Sequence, residues 1–128
     1  MERRTFSKRE RIVSRTLMEQ LFSKGNSQSA SAYPLRMVYI LKERSEGEEP
    51  VQILISVSKK HFKRAVKRNR VKRQIRESYR IRKQLLIDHV PEGKVLAAAF
   101  IWQADDLYDS SKIAGYMGRL LEKVAERL

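Results

Sequence analysis

Cysteine is absent from the 128-residue chain. No disulfide, thiolate metal site or cysteine nucleophile is available, and the lack is compatible with a reducing cytosol. No apolar run approaches the roughly 20 residues that a membrane helix needs. The start, MERRTFSKRERIVSR, lacks the apolar segment of a secretory signal. The five glycines are all isolated, so no glycine loop can cradle a phosphate. The two histidines, His61 and His89, stand in polar contexts with no carboxylate pair close in sequence. Asp105, Asp106 and Asp109 form the one acid cluster near a strand end, and carboxylates placed there suit a helix cap better than a metal. The scarcest resource is acid within one stretch. Between Lys59 and Lys83 a single carboxylate, Glu77, faces thirteen Lys or Arg residues.

That stretch accounts for nearly all of the net charge of +13, because the remainder of the chain holds fifteen bases and fourteen acids. A smaller bias lies before Thr16, with six bases against two acids. Focused positive charge of this kind steers phosphate polymers. The length fits one domain with its own core. Residues 1–11 are polar and basic and are expected to be mobile, with a single domain over 12–128.

Apolar spacing predicts a short helix over Ile12–Lys24, through Ile12, Leu17, Met18, Leu21 and Phe22. Asn26–Ala32 reads as a loop or a short edge strand. Tyr33–Lys42 alternates, with Leu35, Met37, Tyr39 and Leu41 on one face and Pro34, Arg36, Val38 and Ile40 on the other. Val51–Ser58 is the cleanest strand, and the two are expected to pair as a hairpin across the acidic ERSEGEEP turn. A long helix follows over about 65–87, then a break at Pro91–Gly93, a strand over Val95–Trp102 and a last helix capped by Asp109 or Ser110. The order argues for a two-layer α+β sandwich.

The long helix has two faces. Val71, Ile75, Tyr79 and Leu86 fall on one side at about 100° per residue, with Arg82 able to lay its stem there. Asn69, Arg73, Arg76, Arg80 and Lys83 fall opposite, flanked by Lys72, with Arg68 and Arg70 at the N-terminal end. A solvated helix face mixes charges of both signs. Here like pairs such as Arg73 with Arg76 cost a few tenths of a kcal/mol each, and an external polyanion accounts for the pattern. Charge alone does not choose RNA over DNA.

SVSKKHFKRAVKRNRVKRQIRESYR, residues 56–80, resembles the signature of the bacterial ribonuclease P protein component. The matching residues are Ser58, Lys59, Lys60, Ala65, Val66, Arg68, Asn69, Arg70, Val71, Lys72, Arg73, Arg76 and Glu77. The run Phe6–Arg11, Leu21, Phe22 and Gly25, the Val38–Tyr39 pair, and Ala104, Leu107 and Tyr108 agree as well. The resemblance implies a two-layer αβββαβα sandwich on a four-stranded sheet, with a left-handed βαβ crossover, although the opposite hand is the strong default. It implies a ribonucleoprotein that removes the 5′ leader of precursor tRNA, with the chemistry and most Mg²⁺ contacts belonging to the RNA subunit and the substrate. Arg68, Asn69, Arg70, Lys72, Arg73, Arg76 and Arg80 would dock on the RNA subunit. Met18, Phe22, Tyr39, Lys59 and Lys60 would hold the leader in a cleft between the first helix and the open sheet face, where apolar surfaces stack bases. Met18 stands where the family usually has an aromatic, the fourth strand lacks the usual terminal base, and the loop before Ala65 is longer than in many members. No membrane and no obligate protein partner is evident.

Two rivals remain at this point. One is a non-catalytic binder of ribosomal or other structured RNA. The other is a DNA-binding protein with the basic helix in a major groove, for which the short helix-turn-helix pairing is missing.

Overall fold

A computed structural model of the chain describes residues 8–12, 14–23, 25 and 27–128. Residues 1–7, which hold Phe6 and most of the segment expected to be mobile, lie outside the described residues. Lys8–Glu10 form a 3₁₀ turn, and Arg11 makes a parallel bridge to Ile53, with the Ile12 amide donating to the Ile53 carbonyl at 2.9 Å.

The elements that follow are α1 (Arg15–Phe22), β1 (Gln28–Ala32), β2 (Leu35–Glu43), β3 (Val51–Ser56), α2 (Ala65–Arg82), α3 (Gln84–Ile87), β4 (Lys94–Trp102) and α4 (Ser110–Arg127). This is the expected α+β order, with the long helix divided near Lys83. Its last part, Gln84–Ile87, is a separate turn that no Pro or Gly announces. The four-stranded sheet runs β1-β2-β4-β3, with β1–β2 and β2–β4 antiparallel and β3–β4 parallel.

The expected β2–β3 hairpin does not form, because β4 lies between those strands. The reason is burial. Val95 to Phe100 are all inaccessible to solvent, and a strand apolar on both faces belongs at a sheet's centre. The acidic segment 44–50 therefore crosses the end of β4, with Arg44 N donating to Gly93 O and Leu96 N to Pro50 O. Glu48 organises it. Its carboxylate accepts from Lys42 Nζ at 2.8 Å, the Ser45 amide at 2.8 Å and Gln52 Nε2 at 3.2 Å. The Lys42 bond, aided by the Ser45 amide, holds its pKa down at about 2 rather than the usual 4.5. A depressed carboxylate contributes stability that is complete above the unfolded value and is lost as pH falls toward the folded one. The urea midpoint is expected to drop between about pH 4.5 and pH 2, and Glu48→Gln should flatten that part of the profile.

The main core lies between one sheet face and α2, α3 and α4. It joins Leu35, Met37, Tyr39, Ile53, Phe100 and Trp102 to Val71, Ile75, Tyr79, Leu86, Ile113, Met117, Leu120 and Leu121. A smaller core on the other face packs Ile12, Leu17 and Leu21 on Ala97 and Ala99. Those two alanines are poor strand formers, but their small side chains let α1 settle close to the sheet. Both sheet borders are covered in part. Residues 11–12 lie along β3, and α4 sends Lys123 Nζ to Ser31 O at 2.6 Å and Arg127 to Ser29 O at 2.8 Å on β1.

Candidate nucleic-acid interface

The back of α2 is fully sunk. Val71 and Ile75 are inaccessible, and the Tyr79 ring packs on Phe100 at 5.6 Å between centroids. Burial, with the Glu10 carboxylate adding to it, pushes the Tyr79 phenol pKa up, so it stays protonated. Each such side chain contributes about 1.5–3 kcal/mol, which outweighs repulsion of a few tenths per like-charged pair. The helix can therefore carry a cationic front.

That front is divided into paired and unpaired groups. Among the described residues no carboxylate pairs with Arg70, Lys72, Arg73 or Arg76. Asn69, Arg70 and Arg73 are exposed, and Lys72 and Arg76 half-buried. Arg80 differs. It holds Glu77 through Nε at 3.0 Å and a second bond from Nη2, and that bond lowers the Glu77 pKa. Lys83, at the far end of the expected stripe, pairs with Glu10 at 2.6 Å, both side chains being 12–13% exposed. The chain's own acids thus neutralise the C-terminal end of the stripe. Arg68 turns back, with Nη1 donating to the carbonyls of Phe62 (2.9 Å) and Lys63 (2.7 Å). It fixes the loop ahead of the helix as well as adding charge.

No side chain caps α2, and no acid lies in its first turn, so its free N–H groups add to the positive field. Arg11, Lys72 and Arg76 also line a groove floored by Ile12, Leu54 and Ile55. It leads from the helix front to the second sheet face.

Among the described residues, that second face is half covered. Ser14, which caps α1, and Thr16, Leu17 and Gln20 of the helix border Lys42, Glu48 and Gln52, so the helix covers the end nearest the acidic crossing. The strand register leaves Ser31, Arg36, Ile101 and Ser56 as one row across the other end, all exposed or half-buried. Met18 is half-buried at this margin and Phe22 is 53% exposed. Lys59 and Lys60, both exposed, follow Ser56 by three and four residues.

Tyr39 is not brought together with Met18 and Phe22. It is 4% exposed in the main core, on the opposite sheet face, with its hydroxyl 3.2 Å from Gln28 Oε1. Alternation in β2 pairs Tyr39 with Leu35 and Met37, and all three face the helical layer. The β2 residues toward α1 are Arg36, Val38 and Ile40. An isolated cation in a strand, such as Arg36, carries no signal until the strand's neighbours are known.

The acid cluster also differs from expectation. Asp109 is the N-cap of α4, but its side chain makes no capping bond. Asp105 instead meets His61 Nδ1 at 2.7 Å. Among the described residues no three His, Cys, Asp or Glu side chains converge in a group that could hold a metal ion. No helix among them is long and apolar enough to cross a membrane.

A family model for ribonuclease P matches residues 6–100. The chain belongs to the ribonuclease P protein family. It is 40% identical to the ribonuclease P protein component of Porphyromonas gingivalis over 120 residues, covering 93% of this chain and 85% of that one. It is 31% identical to that of Chlorobium phaeobacteroides over 121 residues, covering 94% and 83%. Among solved structures, the RNase P protein of Thermotoga maritima superposes with a TM-score of 0.66 at 21% identity, over 89% of this chain and 96% of that one. The Staphylococcus aureus RNase P protein gives 0.65 at 21% identity, over 90% and 94%. At these identities the two structures speak for the fold. The ribonuclease P match spans α1 to β4, and so covers the cationic front and both sides of the half-open sheet face.

Proposed function

We propose that the chain is the protein subunit of a ribonuclease P ribonucleoprotein, acting in maturation of tRNA 5′ ends. The observation that carries this reading is the unpaired front of α2: Arg70, Lys72, Arg73 and Arg76 held rigid by an inaccessible apolar back. Together with Asn69, and with Arg68 and Arg80 in the secondary roles their bonds give them, these residues dock on the RNA subunit. Guanidinium forks suit phosphate oxygens arranged on a fixed surface. The 5′ leader of precursor tRNA crosses the uncovered end of the second sheet face. Phe22 and Met18 offer apolar surface to its bases, and Arg36, Lys59 and Lys60 meet its phosphates. Cleavage, with its Mg²⁺, is carried by the RNA subunit. The protein's part is to bind and align.

Reconstitution tests this directly. The protein mixed with a bacterial ribonuclease P RNA at low Mg²⁺ is expected to release the 5′ leader under conditions where neither component does so alone. No release by the mixture would overturn the assignment. Phe22→Ala with Arg36→Ala should weaken binding of precursor tRNA by roughly tenfold, from loss of one stacked base and one phosphate contact. Mature tRNA should bind as before. Tyr39→Ala should lower the urea midpoint and leave the preference for precursor intact. Equal losses for both tRNAs in the Phe22/Arg36 variant would remove the leader from this face.

A further inference from the structure

The loop between β3 and α2 holds a turn whose construction the docking reading does not explain. The Ser58 carbonyl accepts from the His61 amide at 3.1 Å and the Phe62 amide at 3.3 Å, and the Ser58 hydroxyl accepts from the Lys60 amide at 3.1 Å. Lys59 and Lys60 are therefore the two corner residues of a β-turn. His61 closes it, and its ring meets Asp105 of the β4–α4 connection at 2.7 Å. The His61 side chain is 16% exposed and that of Asp105 78%. The next residue, Phe62, is buried in the main core, and Arg68 clips its carbonyl.

Asp105 is out of place on electrostatic grounds. The loop it touches carries Lys59, Lys60, Lys63 and Arg64, and a carboxylate beside them opposes a polyanion. Its partner explains it. A carboxylate only accepts hydrogen bonds, so the imidazole donates from Nδ1. The bond fixes the ring, and through it the last residue of the turn.

We infer that the His61–Asp105 pair is a positioning device that aims Lys59 and Lys60 at bound RNA. The inference rests on the reading of this chain as an RNA-binding subunit. Two lysines on a loose loop would have to be ordered on binding, and a turn pinned on both sides removes that cost beforehand. His61 and Asp105 touch no RNA in this account and act through the turn.

Position and charge make opposite predictions at Asp105. Asp105→Ala raises the net charge by one, so if charge alone mattered, the protein assembled with a ribonuclease P RNA would bind precursor tRNA more tightly at about 0.15 M salt. The pinned turn predicts looser binding, by roughly fivefold, the worth of one hydrogen bond. Asp105→Asn keeps the acceptor oxygen and should bind at least as tightly as the parent. His61→Ala should lose affinity, and His61→Asn, whose amide N–H replaces Nδ1–H, should recover it. Thermal melts of each variant check that the fold is kept. Tighter binding by Asp105→Ala, or equal loss in the Asn variants, overturns the inference. Lys59→Ala with Lys60→Ala is measured alongside. Unchanged affinity there overturns the RNA-contact reading of the two lysines, whereas loss there without loss in Asp105→Ala overturns the pair's role alone.

Discussion

Arg70→Glu combined with Arg73→Glu is expected to weaken binding to the RNA subunit by about a hundredfold or more near 0.1 M salt. Both side chains are exposed, and no carboxylate of the described chain holds them. Each neutralised phosphate returns a counterion on binding, so the slope of log affinity against log salt should become shallower by about two. The fold should not suffer, since the helix is held from behind by Val71, Ile75 and Tyr79. Exposed substitutions of this kind change stability by about 0.5 kcal/mol or less. Arg80→Ala is the internal comparison. Its guanidinium already holds Glu77, so its loss of affinity should be clearly smaller than that of Arg73→Ala. Equal losses would mean that the number of cations, and not the unpaired front, sets the affinity.

The second large effect is on folding. Glu10→Ala should cost about 2–4 kcal/mol, somewhat under the cost of breaking a wholly buried pair. It leaves Lys83, 13% exposed, beside a helix that already bears an excess of positive charge. It also frees the short segment that runs from the 3₁₀ turn to the bridge at Ile53. Replacing both partners, Glu10→Ala with Lys83→Met, should recover most of the loss, because an apolar chain needs no counter-charge. Urea unfolding of the two single variants and the double variant measures the coupling. A single variant within 0.5 kcal/mol of the parent would show that the segment adds nothing to the fold.

How much of this was legible in the sequence depended on range. The two faces of α2 follow from spacing within the helix, and Val71, Ile75 and Tyr79 lie where a period of 3.6 puts them. The alternation of β3 was equally plain, with Val51 and Ile53 buried. What sequence could not supply was the meaning of a face. Alternation grouped Tyr39 with Met37, but both sides of β2 are apolar, and only the packing of α4 decides which side is closed. The hairpin expectation failed for a related reason. Two neighbouring strands pair by default, and displacing them took the knowledge that β4 is buried on both faces. His61 with Asp105 spans 44 positions and Lys83 with Glu10 spans 73. Pairs at that distance leave no local pattern. β1, rich in serine and alanine, is a strand because β2 offers it partners and not because its residues prefer one.

The covered borders of the sheet have a consequence for how the molecule behaves before it meets RNA. An open sheet invites a second copy to extend it, and concentrated protein can then polymerise edge to edge. Here cationic side chains from α4 occupy carbonyls on the β1 margin, and the backbone of residues 11–12 screens part of the β3 margin. What the described residues leave uncovered is one end of a face, furnished with serines, an arginine and an isoleucine. Such a surface is a poor seam for self-assembly.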